Sequence, residues 1–195
     1  LREQGFTDAL RVGTETGVRG DMQDLRLVAR GEPNDRAAKL NSATVVAATT
    51  SSCGSRTMRE QAFDVALVDE ASQLTEPGTL AAVTLADRFV LVGDHQQLPP
   101  VVRAENDLET SLFERLIDRH PEAAVMLDRQ YRMSQRIQYF PSREFYDGAL
   151  RPASPEVAAR RLGDLDGVDV GAVPTELRDA VSFVDPEGTA TGNTN

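Results

Sequence analysis

An α/β fold on a parallel sheet is predicted by three short apolar runs and the helix between two of them. Residues 43–50, Phe63–Val68 and residues 89–92 are rich in β-branched or aromatic side chains. None of the runs alternates, which is the pattern of strands buried on both faces of a parallel sheet. Between the second and third, Glu76-Pro77 opens a helix that carries Leu80, Val83 and Leu85. Strand, helix and strand make a crossover unit. Each run ends in a polar stretch, and open α/β sheets gather their ligands at the carboxyl ends of their strands.

The remaining elements follow in order. Residues 13–42 are charged and punctuated by Gly, with weak periodicity at Leu25, Leu27 and Val28, and receive no assignment. The run over 43–50 predicts a strand, then a loop over 51–55. After Pro99-Pro100, Asn106 or Asp107 caps a helix in which Leu108, Leu112, Phe113, Leu116 and Ile117 recur at helical spacing, and His120-Pro121 ends it. A fourth apolar run, 123–127, leads into Asp128-Arg129-Gln130-Tyr131-Arg132-Met133, which puts Arg132 just after a buried strand. Ser134 caps the next helix, Pro141 interrupts or ends it, and 142–146 add a turn. Beyond Arg151 the composition shifts to Gly, Pro, Asp and Ala, with one more strand over 181–184 and a polar, frayed end over 188–195. The domain boundary is placed near Pro121.

A chain of 195 residues buries a real core in one or two domains. The net charge of −10 argues against general affinity for polyanionic phosphate backbones. Lys39 is the only lysine among 21 basic residues. A halophilic source accounts for both features, because concentrated salt screens repulsion and favours weakly hydrated arginine. High-GC codon bias accounts for the arginines alone. No apolar stretch has membrane-spanning length and the start lacks a signal-peptide pattern, so a soluble cytoplasmic protein is expected. A first residue of Leu points to a portion of a longer coding region. Cys53 stands alone, which excludes internal disulfides and suits a reducing compartment. His95 and His120 have no metal-ligand spacing with Cys53.

Three polar stretches carry chemistry. Asp69-Glu70 at a strand end puts two carboxylates where Asp69 can hold a nucleotide-bound magnesium ion and Glu70 can orient or deprotonate a water. Alone, the pair reads more readily as a helix start favourable to the helix dipole. The octet Gly93-Asp94-His95-Gln96-Gln97-Leu98-Pro99-Pro100 begins 24 residues past Asp69. Its glycine lets the chain turn off the strand, its amides can sense a terminal phosphate, and its prolines fix an extended exit. Arg132 supplies a planar cation for charge on a transferred phosphoryl group, although one arginine among 20 is more often a surface residue. Thr49, Thr50 and Ser51 form a hydroxyl cluster at a strand end, suited to nucleic-acid phosphates or to a polar turn. Cys53 reads as a small buried residue rather than a nucleophile.

Taken together, these segments resemble a superfamily 1 helicase of the 5′-to-3′ group, close to the nonsense-mediated-decay helicase and the nuclease-helicase that trims Okazaki fragments. The similarity covers residues 43–150, with weaker likeness at Leu10-Arg11-Val12-Gly13 and over 181–185. Asp69-Glu70-Ala71-Ser72-Gln73 looks like motif II. Gly93 to Pro100 looks like motif III, with Gln97 as its phosphate-sensing glutamine. Leu127 to Met133 looks like motif IV with Arg132 as its arginine finger. Thr49-Thr50-Ser51 falls where the family grips the nucleic-acid backbone. The resemblance implies RecA-like P-loop NTPase domains with ATP and Mg²⁺ in the cleft between them, and single-stranded DNA, or RNA, across their top. It assigns residues 1–121 to the later part of a first domain and 122–195 to the opening of a second.

The departures from that pattern bear on activity. A P-loop needs Gly-Lys-Ser/Thr. Here Lys39 is followed by Leu40, so no Walker A motif is present, and later motifs of the second domain are also missing. The expectation is therefore a portion of an ATP-dependent helicase, inactive by itself and in need of the rest of its chain. Two alternatives stand beside it. One is a degenerate stand-alone remnant that serves as a binding or structural module. The other is an unrelated phosphatase or nuclease with Asp69, Glu70 and Asp94 as metal ligands, weakened by the lack of further histidines or carboxylates at metal spacing.

Overall fold

The computed structural model describes residues 8–27, 33–102 and 109–182. They form two compact units that divide between Ala124 and Val125, and every strand pair in them is parallel.

In the first unit, β1 (Ala9–Val12) pairs with β2 (Val45–Ala48), Ala9 opposite Val45 and Val12 opposite Ala48. The unassigned stretch between them contains a 3-10 turn over Gly20–Leu25 and helix α1 (Pro33–Ser42). Proline suits the start of α1 because the first helical N–H groups have no intrahelical partner. The residues after β2, expected to be a loop, are helical instead: α2 (Thr50–Cys53) and α3 (Arg56–Arg59). Thr49 causes the difference, since its Oγ1 accepts the Ser52 N–H at 3.3 Å and so caps α2.

The predicted crossover is present as β3 (Phe63–Val68), α4 (Glu76–Val83) and β4 (Ala86–Leu91), with Phe63 opposite Ala86 and Val68 opposite Leu91. Helix α4 turns Thr79, Ala82 and Val83 inward and leaves Leu80 exposed, while Leu85 lies beyond its end. The core gathers Cys53, Val68, Ala71, Ala82, Val83 and Phe113, with Leu74, Leu85, Leu91 and Ile117 packed against it. Phe113 comes from α5 (Leu112–Arg119), which Ser111 caps by accepting the Glu114 N–H at 3.1 Å. The expected caps Asn106 and Asp107 lie outside the described residues. Arg115 of α5 forms an ion pair with Glu76 at the start of α4.

Burial of the strands on both faces is not met. Ala66 and Val68 turn toward the core, whereas Val65 and Leu67 of β3 and Phe89 and Val90 of β4 are exposed. The described helices supply one apolar covering layer, and a sheet needs two to hide both faces.

The run 123–127, which straddles the division between the units, is not a strand, and Ala123 ends a 3-10 turn over Pro121–Ala123. Val125, Met126 and Leu127 are exposed and irregular, and the strand that follows, β5, is only Arg129–Gln130. It pairs with β6 (Arg151–Pro152). Helix α6 (Gln135–Phe145) begins at the expected Ser134 but runs through Pro141, and residues 142–145 belong to it. Proline withholds the N–H that would reach the Ile137 carbonyl, and Ile137, Tyr139 and Phe140 on that stretch are exposed. Helix α7 (Pro155–Ala159) is capped by Ser154. Val181 and Ser182 are irregular, and the rest of the predicted strand, like residues 188–195, lies outside the described residues. Among the described residues no helix is long and apolar enough to cross a membrane.

Candidate functional site

The site is built where β3 and β4 end side by side. The Val92 N–H donates to the Val68 carbonyl and the Ala71 N–H donates to the Val92 carbonyl, both at 2.8 Å, so the ladder continues past the strands into their exit loops. Between those bonds the chain reverses at Glu70, whose φ of 53° and ψ of 36° are left-handed. A side chain in that region costs about 1–3 kcal/mol and persists where its surroundings over-determine it. Asp69 helps to hold it, its Oδ1 accepting the Glu70 N–H at 3.0 Å. Gln73 Nε2 donates to Glu70 Oε2 at 2.9 Å. Both carboxylates are exposed at the carboxyl end of the strand.

The second loop is joined to the first by a buried hydroxyl. Ser72, only 3 % exposed, accepts the Asp94 N–H on Oγ at 3.0 Å. Asp94 in turn organises the octet: Oδ1 accepts the Gln96 N–H at 3.1 Å and Oδ2 accepts Gln97 Nε2 at 2.8 Å. His95 lies against Phe113 with ring centroids 6.4 Å apart, which ties the loop to the core. Gly93 has a different reason from the expected tight turn, since its φ is not left-handed. A β carbon there would lie 2.9 Å from the Ser72 backbone nitrogen and 3.1 Å from Ser72 Oγ. Glycine is required by close approach of the two loops. Gly93→Ala should therefore destabilise the first unit by about 1–3 kcal/mol through overpacking. Chemical denaturation checks this, and an unchanged midpoint would contradict the contact.

Thr49, Thr50 and Ser51 stand at the carboxyl end of β2. Thr49 Oγ1 is engaged in the cap and lies 3.0 Å from Ser52 Oγ, Thr50 is half-buried, and Ser51 is exposed. Cys53 beneath them is buried, and burial pushes its thiol pKa up, which suits a packing role.

Arg132 belongs to the second unit and follows a two-residue strand rather than a buried one. Its backbone is nevertheless fixed. Gln130 Oε1 accepts the N–H groups of Arg132 and Met133 at 2.9 and 2.8 Å, and Gln130 Nε2 donates to the Met133 carbonyl at 2.7 Å and to Gln138 Oε1 at 3.0 Å. Arg160 Nη1 donates to the carbonyls of Tyr131 and Arg132 at 3.0 and 3.1 Å. The guanidinium of Arg132 itself is exposed on this braced loop.

The structure thus brings Asp69 and Glu70 together with Gln97 through Ser72 and Asp94. Ser72, Asp94, Gln130, Gln138 and Arg160 are positioning residues that the sequence reading left without that role. Ser72 and Asp94 sat inside stretches already singled out, whereas Arg160, 28 residues from Arg132, gave no local signal. Among the described residues no group of three His, Cys, Asp or Glu side chains could hold a metal ion, which leaves the reading with Asp69, Glu70 and Asp94 as a metal trio without support.

Two family profiles, both described as AAA domain, match residues 15–105 and 108–192. An uncharacterized ATP-dependent helicase of Methanocaldococcus jannaschii is 42 % identical over 155 residues, covering 76 % of this chain and 23 % of that protein. The DNA replication ATP-dependent helicase/nuclease of Xenopus laevis is 44 % identical over 122 residues, 60 % of this chain and 12 % of that one. DNA polymerase alpha-associated DNA helicase A of Schizosaccharomyces pombe is 38 % identical over 151 residues, 76 % of this chain and 22 % of its own. The chain spans less than a quarter of the length of these relatives. With the two AAA matches end to end along it, helicases among its relatives, and parallel strand pairs that deliver Asp69-Glu70 and Gly93 to Pro100 to one place, the chain belongs to the superfamily 1 helicases.

Proposed function

We propose that these residues form the hydrolytic half of an ATP site in a helicase that moves along single-stranded DNA, with RNA as the alternative track. The observation that carries this reading is the Ser72 to Asp94 hydrogen bond, which holds the Asp69-Glu70 loop against the Gln97 loop at the carboxyl end of a parallel pair. In this reading residues 1–121 belong to the later part of a first RecA-like domain and residues 122–195 open a second. The protein works in the cytoplasm, in keeping with its single thiol.

Asp69 is the residue that would hold magnesium. One exposed carboxylate suits an ion that takes one or two carboxylates and completes its shell from water and substrate phosphates. The ion supplies charge neutralisation on those phosphates. Glu70 accepts a proton from the attacking water as oxygen bonds to the γ-phosphorus and the bond from that phosphorus to the bridging oxygen breaks. Gln73, bonded to Glu70 Oε2, fixes the carboxylate and leaves Oε1 for the proton. Gln97, anchored to Asp94, senses the terminal phosphate, and Arg132 offers a planar cation to charge developing on it. Thr49, Thr50 and Ser51 contact backbone phosphates of the track, with the exposed Ser51 hydroxyl as principal donor.

The test is nucleic-acid dependence. In a chain that joins these residues to a phosphate-binding loop, phosphate release from ATP should rise when single-stranded oligothymidylate is added. A rate indifferent to single-stranded DNA and RNA alike would overturn the motor reading.

A further inference from the structure

The second unit holds a basic cleft that the ATP site does not use. Strands β5 and β6 pair with Arg129 directly opposite Arg151, and both line a shallow, open cleft of about 380 Å³ together with Gln135, Pro152, Ser154 and Ala158. Neighbouring strands lie about 4.8 Å apart, and like charges placed directly opposite destabilise a pair of strands. No carboxylate lines the cleft. Asp128 reaches Arg129 only at 3.8 Å, and among the described residues Arg151 has no ion-pair partner. Glu156, five residues past Arg151, has its carboxyl pKa lowered first by a hydrogen bond from Ser154, so that hydroxyl is already engaged. Over residues 128–161 seven arginines stand against Asp128, Glu144, Asp147 and Glu156, and Arg136 among them pairs with Asp179 at 3.7 Å, in a chain whose net charge is −10.

We propose that Arg129 and Arg151, with the Gln135 amide, form a phosphate-binding cleft. Each guanidinium carries a planar fork of N–H donors that matches phosphate oxygens, and an anion between the two removes their mutual repulsion. The natural source is a backbone phosphate of single-stranded nucleic acid. That choice of source, but not the cleft itself, rests on the track reading above. An inorganic or nucleotide phosphate offers the same oxygens.

The experiment measures the 195-residue chain without ATP. Binding of fluorescent oligothymidylate is followed by anisotropy across a salt series, and the melting temperature is compared in phosphate and in chloride at equal ionic strength. Arg129→Gln and Arg151→Gln should each weaken oligothymidylate binding by about 3–10-fold and flatten the log K against log salt slope by about 0.7, the share of one phosphate contact on a single strand. Arg151→Lys should recover part of the affinity, because it restores charge without the fork. If the variants leave oligothymidylate binding unchanged but lose the phosphate-dependent rise in melting temperature, the cleft stands and its ligand is a free phosphate. If neither ligand binds, or both bind the variants as they bind the parent, the cleft proposal is wrong. Circular dichroism confirms that each variant is folded. The measurement uses no nucleotide hydrolysis, so failure here leaves the Asp69-Glu70 assignment untouched, and the reverse also holds.

Discussion

Glu70→Gln, in a chain that also supplies a phosphate-binding loop, should lower ATP hydrolysis by about 10²–10⁴-fold, the usual worth of a positioned general base. Nucleotide affinity should stay nearly constant. The substitution is isosteric, and a glutamine oxygen at position 70 can still accept the Gln73 amide that now reaches Glu70 Oε2 at 2.9 Å. The backbone bears the same left-handed strain with either side chain, so the loop has no new reason to move. What disappears is the ability to take a proton from water. Single-turnover hydrolysis and equilibrium binding of a fluorescent nucleotide separate the two effects. Loss of binding together with hydrolysis would show that Glu70 shapes the loop rather than serving the reaction, and the companion Gly93→Ala measurement would then locate the shared cause at the Ser72 contact.

How far the sequence could be read follows from where the forces act. Phe63–Val68 was legible to the residue, because a β-branched run closed by two carboxylates leaves a strand no other stopping point. The crossover was legible for the same reason. The loop expected after β2 was misread because the Thr49 hydroxyl serves a cap as readily as a turn, and only the geometry of the Ser52 N–H decides. Ser111 and Glu114 form a Ser-x-x-Glu signature that marks the start of α5, and the apolar spacing begun at Leu108 drew attention upstream of it. Pro141 misled by a rule that holds for buried helix interiors, whereas Ile137, Tyr139 and Phe140 beside it are exposed. At the site, Asp69, Glu70 and Gln97 announced themselves by residue type at strand ends. Ser72 and Gly93 could not, since their roles depend on segments 21 residues apart coming so close that a β carbon at position 93 would lie 2.9 Å from the Ser72 nitrogen, which no local pattern encodes.

The 195-residue chain by itself should release no phosphate from ATP above background, with or without single-stranded DNA. Phosphoryl transfer is catalysed almost wholly by positioning and electrostatics, so the groups that grip the β- and γ-phosphates are not accessory to it. A glycine-rich loop grips with a row of backbone N–H groups and one lysine. Lys39, the only lysine, lies in the last turn of α1 and is followed by the buried Leu40, where backbone N–H groups are engaged within the helix. Asp69 does not compensate, because one carboxylate binds magnesium weakly unless phosphates share the ion. Arg132 does not compensate either, since a cation aimed at developing charge acts on a nucleotide already held. Both nucleotide affinity and turnover should therefore be missing together, which isothermal titration and a phosphate-release assay measure on the same sample. Turnover above background that survives Lys39→Ala but is lost in Glu70→Gln would mean that arginines of this chain hold the phosphates, and the requirement for a separate phosphate-binding loop would fall.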